Sequence, residues 1–399
     1  MATDSRRRVV VTGTGVISTA GVGAEAFLDG ISGRVQEVLR QSGRIREITA
    51  WDPSGYFENS KDLRRTDRVE QLATVATADA IRQAGDIAAA PERTGVVFGV
   101  GFGGMRTYEE QLAALNSRGE RAVSPLTVPM VMANASAAAV SRRYGFTGPC
   151  ETVAVACAAG SHAIGNAYRL IRWGLCDAVV AGGAESAGAT GAIAAFSRMT
   201  ALSDAGVSRP FDRERDGFVL SEGAAVLVLE ERDAALARGA TILGEIVGFA
   251  ANADAYHISA PSPGGRGAIA CMRAALDDAG LDPALVACVN AHGTSTPLND
   301  ATESAAIREI FGPHGVPVTS IKGATGHSLG AAGALEAVSV VLSFQSREIP
   351  PTLNTLDVPP EFETDIVTVS PRPWVPGAVV SNSFAFGGHN ASLVIAPFV

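Results

Sequence analysis

Cys157 stands in Val153-Ala154-Val155-Ala156-Cys157-Ala158-Ala159-Gly160-Ser161, where an apolar strand-like run gives way to a small-residue helix. That pattern predicts a thiol on a strand-to-helix turn, at the helix N-terminus. Free N–H groups and the positive end of the dipole stabilise a thiolate there. They can also donate to an oxyanion formed on an attacked carbonyl. The competing reading is a small buried core cysteine, the commoner fate of this residue type. The buried reading prevails for Cys150, Cys176, Cys271 and Cys288, none of which forms a CxxC pair.

His292 lies at the end of the strand-like run Val289-Asn290-Ala291, and His327 lies in Lys322-Gly323-Ala324-Thr325-Gly326-His327-Ser328-Leu329-Gly330, a glycine-rich approach to a helix. Neither has HxxxH or HExxH spacing, so no metal site is expected. A neutral imidazole can donate to a thioester oxygen or take up a proton. Either histidine alone reads as a turn residue satisfied by backbone. With a cysteine at a helix start, the three together point to a Cys–His–His nucleophilic site. Gly99-Val100-Gly101-Phe102-Gly103-Gly104 matches GxGxxG after a strand, but no second strand ending in an acid follows at the spacing of a dinucleotide fingerprint.

These residues need a scaffold, and composition bounds it. Hydrophobic residues make up 47% of the 399, charged residues only 18%, which excludes a disordered chain. The length is too great for one small core and suits one large fold of related halves. Strand-like runs at 9–13, 94–99, 178–183 and 225–229 alternate with helical stretches at 68–84, 160–173, 268–279 and 329–344, the pattern of layered α/β architecture. Three echoes in the same order suggest duplication. Ala80–Gly85 before Val96–Gly99 resembles Ala275–Gly280 before Cys288–Gly293; Val180–Glu185 resembles Phe384–Asn390; and Cys157–Gly160 resembles Gly326–Gly330. The expected halves are residues 1–243, carrying the cysteine, and 244–399, carrying both histidines.

Net charge is −9, which disfavours nucleic-acid binding. No uninterrupted apolar stretch is long enough for a bilayer, and Met1–Arg8 runs into a strand without a leader's apolar segment. The expectation is a cytoplasmic protein with no membrane or nucleic-acid partner and reduced cysteines. So apolar a chain needs a sink for exposed surface, and a subunit interface is the simplest.

Cys157 in its small-residue setting, the stretches Asn290–Thr296 and Lys322–His327, and the tail Asn382-Ser383-Phe384-Ala385-Phe386-Gly387-Gly388-His389-Asn390 resemble the β-ketoacyl-[acyl-carrier-protein] synthases, closest to the elongating kind. The resemblance spans almost the whole chain, with four separated motifs in order. It implies a thiolase-like α/β fold of duplicated halves in a five-layered αβαβα arrangement. It also implies a homodimer, or a heterodimer with a homologous chain-length factor.

The implied reaction is decarboxylative Claisen condensation in fatty acid or polyketide elongation. Cys157 would accept an acyl group from acyl carrier protein. His292 and His327 would hold malonyl-carrier protein and assist loss of CO₂. No cofactor is implied beyond the carrier's phosphopantetheine. Lys322 resembles the site lysine, with Glu303 as its acid, and the pair would place His327. The backbone N–H groups of Cys157 and Phe386 would meet the oxyanion. Thr294, Thr296, Phe384 and Ser259 fall at substrate-binding positions, and Phe386 at the gate of the acyl pocket. Lys61, Arg64, Arg65, Arg121 and Arg209 fall where the family docks its carrier, against the plainer reading of solvated surface charge. Ala385 replaces a glycine usual in the gating tail, so the resemblance implies a less free swing there; His389 stands where threonine is frequent.

Other readings stay open within this frame. One is the ketosynthase subunit of a type II polyketide or polyene system; another is a non-catalytic partner, which the intact Cys157, His292 and His327 oppose. A thiolase would need a second catalytic cysteine near the C-terminus, and no cysteine follows Cys288.

Overall fold

The fold follows from one helix–strand order used twice. A computed structural model describes residues 7–35, 37–38, 43–49 and 51–399. The principal elements of the first half are β1 (Val9–Ser18), α1 (Arg68–Ala84), β2 (Thr94–Gly99), α2 (Ala135–Tyr144), β3 (Cys150–Val153), α3 (Ala159–Arg172), β4 (Ala178–Glu185) and β5 (Gly223–Glu231). The second half repeats them as β6 (Gly244–Ala253), α4 (Arg266–Ala279), β7 (Val286–Asn290), α5 (Pro297–Phe311), β8 (Pro317–Thr319), α6 (Ala332–Ser346), β9 (Asp365–Ile366), β10 (Ala378–Ala385) and β11 (His389–Ala396), with β9 as an added edge. The leader expectation for residues 1–6 falls outside the described residues.

Local chemistry explains the elements. Asp67 and Glu70 form a reciprocal capping box at the start of α1, and the helix stops at Gly85 with φ 72°. All ten residues of β1 are buried, so it reads as an unbroken apolar run instead of an alternating one. Close packing of α1 on β1 requires glycine at position 15, where a Cβ would lie 1.8 Å from the Ala76 carbonyl oxygen.

Strand order is β3-β2-β4-β5-β1 in the first half and β9-β8-β7-β10-β11-β6 in the second. In each half the first three of the shared strands run parallel and the last two pair antiparallel. The two sheets are also stitched together: Val9–Val11 of β1 pair antiparallel with Gly244–Ile246 of β6. Helices α1 and α2 share a core with the outer face of the first sheet. Helices α4 and α5 do the same for the second. Helices α3 and α6 share the central core with both sheets. The result is the thiolase-like αβαβα stack.

Two echoes fall at equivalent points: α1 and α4 each close ahead of a sheet strand, and Cys157 and His327 each precede a central helix. The third is out of register, because Gly182-Gly183 lie inside β4 while Gly387-Gly388 lie beyond the end of β10. Helix α6 also revises the membrane reading. Leu329–Ser346 is 18 residues with mean hydropathy 1.3, long and apolar enough to be weighed as a span, yet 89% of it is buried within the protein. Its apolarity is that of a helix enclosed on all sides. Cys150 is another correction: it is exposed, on the edge strand β3, whereas Cys176, Cys271 and Cys288 are buried as expected.

Candidate active site

The nucleophile turn is tighter than the sequence suggests. After β3 the chain makes a 3₁₀ turn, Ala156–Ala158, and α3 begins at Ala159. Ala156 adopts φ 49°, a left-handed conformation that costs a non-glycine residue energy and marks functional turns. Across the core, His327 precedes a 3₁₀ turn, Leu329–Ala331, that leads into α6, and Leu329 is likewise left-handed at φ 45°. Two helices packed side by side therefore bring their preceding turns together. His327 Nε2 lies 3.1 Å from Cys157 Sγ.

His292 completes the group. Its ring centroid is 5.4 Å from that of His327, at 82°. Phe218 packs edge-on against His327 at 4.9 Å, and Phe384 lies 6.3 Å from His292. Lys322 Nζ lies 3.3 Å from His292 Nδ1 and donates to the His292 carbonyl oxygen at 2.6 Å.

The acid beside Lys322 is Glu336, not Glu303. Glu336 forms the ion pair with Lys322, both side chains being 1% exposed. Glu303 instead accepts from the backbone N–H groups of His292 and Gly293, each at 2.8 Å. It holds the strand end that carries His292, and the hydrogen bonds of Lys322 likewise go to His292, not to His327. Sequence reading missed Glu336, though a signal was present: it is the single charge in the apolar run of α6. An acid enclosed there needs a cation.

Burial dominates the electrostatics. It pushes the Cys157 thiol up to about 12, with the Lys322 charge opposing. Burial thus opposes the thiolate expected at a helix start: the dipole's benefit, at most about 2 kcal/mol, works against the desolvation of a charged sulfur. Burial, reinforced by Lys322, also holds His292 and His327 well below the usual histidine value. The resting site pairs a neutral thiol with neutral imidazoles. Burial pushes Glu303 and Glu336 up to about 7, against N–H groups for the first and Lys322 for the second.

Two chambers meet at Cys157. The first, of about 370 Å³, is lined by His292, His327, Thr294, Thr296, Ser259 and Phe384, among others. Thr294 and Thr296 hydroxyls are 2.9 Å apart, and Thr296 also caps α5. The second chamber, of about 620 Å³, is almost wholly apolar, with Phe102, Met105, Leu112 and Phe196 in its walls. Phe386 borders both. Phe102, set aside in sequence as part of a failed nucleotide fingerprint, is a wall residue that stacks edge-on against Phe196 at 6.1 Å.

Ala385 is extended, at φ −117° and ψ 159°, so alanine meets no strain there in this conformation. The left-handed positions are Gly387 and Gly388, at φ 82° and 73°. Of the basic residues, Lys61, Arg64 and Arg65 sit exposed on one short helical turn, and Arg121 is exposed on another. Arg209 differs: its side chain is 19% exposed and lies 3.2 Å from Glu214, while its backbone N–H donates to Ser295 between the two threonines.

A thiolase-like double fold with a cysteine and two histidines where its halves meet defines a class of acyl-transferring condensing enzymes. The chain matches the β-ketoacyl synthase N-terminal domain over residues 33–235 and the C-terminal domain over 243–356. It belongs to the β-ketoacyl synthase family, acyltransferases that condense acyl groups. It is 39% identical to 3-oxoacyl-[acyl-carrier-protein] synthase 2 of Synechocystis sp., covering 100% of both chains. It is 40% identical to the Staphylococcus aureus (strain COL) protein of that name, covering 98% of this chain and 99% of the relative. Among solved structures it superposes on the ishigamide ketosynthase/chain length factor with TM-score 0.87 at 33% identity, covering 99% of this chain and 100% of that one. It also superposes with TM-score 0.89 at 28% identity on a chain of a type II PKS acyl-carrier protein in complex with its ketosynthase bound to the hexaketide, covering 99% and 100%.

Proposed function

We propose that this protein lengthens an acyl chain by decarboxylative condensation with malonyl-carrier protein. The observation that carries the reading is His327 Nε2 at 3.1 Å from Cys157 Sγ, where a polar and an apolar chamber meet. The acyl thioester of a carrier protein reaches Cys157 through the first chamber. Sulfur forms a bond to the acyl carbon as the thiol proton passes to His327, and the pantetheine thiol leaves protonated. Because thiol and imidazole are both neutral at rest, proton transfer accompanies attack instead of preceding it. The backbone N–H groups of Cys157 and Phe386 face the oxyanion.

Malonyl-carrier protein follows. His292 and His327 hold its thioester oxygen while the bond from the α-carbon to the carboxylate breaks, CO₂ leaves and its electron pair forms the enolate. The enolate carbon attacks the acyl-Cys carbonyl, and the sulfur leaves as a thiolate that takes up one proton from solvent to restore the neutral thiol. Lys322, neutralised by Glu336, orients His292; Glu303 fixes the backbone beneath it. Thr294 and Thr296 take the pantetheine arm, with Ser259 and Phe384 beside it, and Phe386 gates the acyl chamber. Loss of CO₂ supplies the driving force, so the reaction calls for no resident cofactor or metal. Residues 1–243 and 244–399 act as the nucleophile-bearing and histidine-bearing halves.

Lys61, Arg64, Arg65 and Arg121 are read as the carrier-docking surface, with Arg209 nearer the cavity. The exposed edge strand β3 offers unpaired backbone groups to a second copy, which supports a homodimer. The ketosynthase and chain length factor structures support a second reading, a specialised ketosynthase paired with a chain-length factor. Co-purification of a homologous subunit lacking the cysteine would select it. A cytoplasmic location is part of the proposal and is common to both readings. The test is mass spectrometry of the protein incubated with acyl-carrier proteins of graded length. The expected result is acyl mass on the Cys157 peptide; acylation elsewhere, or none, would overturn the reading.

A further inference from the structure

Glu185 ends β4 with its side chain fully buried. Its carboxylate accepts from the backbone N–H of Gly101 at 2.6 Å, of Phe102 at 3.2 Å and of Gly330 at 3.2 Å. These donors come from two turns in different halves of the chain. One presents the Phe102 ring to the apolar chamber. The other presents Leu329, left-handed at φ 45° and two residues past His327. The approach is close: a Cβ on Gly101 would meet Glu185 Oε2 at 2.4 Å, and one on Gly330 would meet Gly101 N at 2.3 Å. A carboxylate in a dry interior is costly and persists where it satisfies several donors at once. Burial pushes Glu185 up to about 7, and the converging N–H groups oppose that rise by favouring the ionised form, which has no donor of its own to collide with them.

We propose that Glu185 is a positioning and specificity-determining residue, which clamps the Phe102 and Leu329 turns together and so fixes the wall that the acyl chain meets. The proposal rests on the acyl-transfer reading for its biological meaning, but its geometry can be tested without turnover. A glutamine at 185 keeps one oxygen acceptor and points an amide donor at an N–H group, so one turn comes loose. A small group on Cys157 occupies little of the 620 Å³ chamber and does not feel the wall, whereas a long chain does.

The test measures alkylation of Cys157 by iodoacetamide and by a long-chain N-alkyl iodoacetamide, in the parent and in Glu185→Gln. The Glu185 charge also raises the Cys157 thiol, an effect both reagents share, so the expected result is a change of about tenfold in the long-to-short rate ratio, the size of one charge-assisted hydrogen bond. Equal changes with both reagents, or none, would overturn the clamp. If Glu185→Gln does not fold, Gly101→Ala presses on the same oxygen with the charge intact and should give the same length-dependent ratio. Glu185→Asp, too short to span both turns, should not rescue it. In parallel, the KM of long acyl-carrier donors should move about tenfold in Glu185→Gln while that of an acetyl donor stays at the parental value. A parent that alkylates with the expected length dependence but never accepts acyl groups would sink the proposed function and leave the clamp standing.

Discussion

Lys322 takes its counter-charge from Glu336 and turns toward His292, at 3.3 Å from Nδ1 and 2.6 Å from the backbone oxygen. Removing one member of a buried pair strands the other charge, which costs about 3–5 kcal/mol. Glu336→Ala should therefore lower the unfolding free energy by about that much in a denaturant titration. Glu303→Gln keeps an oxygen for one of the two N–H groups and should cost about 1–3 kcal/mol. Losses of the reverse order would restore Glu303 as the partner of Lys322.

What the sequence showed and what it hid differ for physical reasons. Cys157, His292 and His327 were legible because each sits at a glycine- or alanine-rich turn next to an apolar run. The helix 68–84 was legible to the residue because Asp67, Glu70 and Gly85 punctuate it. Glu336 was hidden because its partner lies fourteen positions away and is brought near by the turn at Gly326, which no periodicity reports. The depth of burial at Cys157 was hidden for a related reason. A helix start is visible in sequence, but the depth of burial depends on a helix from the other half packing over it.

A thiol raised to about 12 by burial is protonated at neutral pH. Alkylation of Cys157 by iodoacetamide should then climb about tenfold per pH unit across the neutral and mildly alkaline range, where an ordinary thiol levels off above about 8.5. Peptide-resolved labelling between pH 6 and pH 10 reads this directly. A plateau below pH 7 would mean that the helix start wins over desolvation after all.

The two half-reactions use different atoms, so they should separate. Cys157→Ala leaves both imidazoles and should still release CO₂ from malonyl-carrier protein while making no elongated product. His292→Ala keeps the thiol and should still accept acyl groups, with decarboxylation slower by about a hundredfold or more. Labelled CO₂ release and acyl-protein mass measure the two halves independently. Loss of both activities in both variants would mean that the residues act as one unit.

The tail beyond β10 assigns its conformational demand to Gly388, not Ala385. Ala385→Gly relaxes nothing in an extended residue and should cost about 0.4–1 kcal/mol through the unfolded chain, with elongation unchanged. Gly388→Ala meets strain at φ 73° and places a Cβ 2.8 Å from that of Asp254. It should lower the rate of acyl transfer more than it lowers Tm. If Ala385→Gly instead accelerates elongation, the hinge lies one turn earlier than its dihedral angles indicate.

Lys61, Arg64 and Arg65 share one exposed turn, while the Arg209 guanidinium is already engaged by Glu214. Charges at a rim act mainly on association and are weakened by salt. Arg65→Glu should therefore raise the KM for carrier protein with kcat intact, and the difference from the parent should shrink as ionic strength rises from about 0.1 M to 1 M, where the screening length falls from about 10 Å to 3 Å. Arg209→Glu would place two like charges together beside Ser295, so its penalty should include kcat and persist at high salt. Steady-state kinetics with carrier-bound substrate at the two salt concentrations separates the two cases. An Arg65→Glu protein with parental KM at low salt would remove that turn from the docking surface.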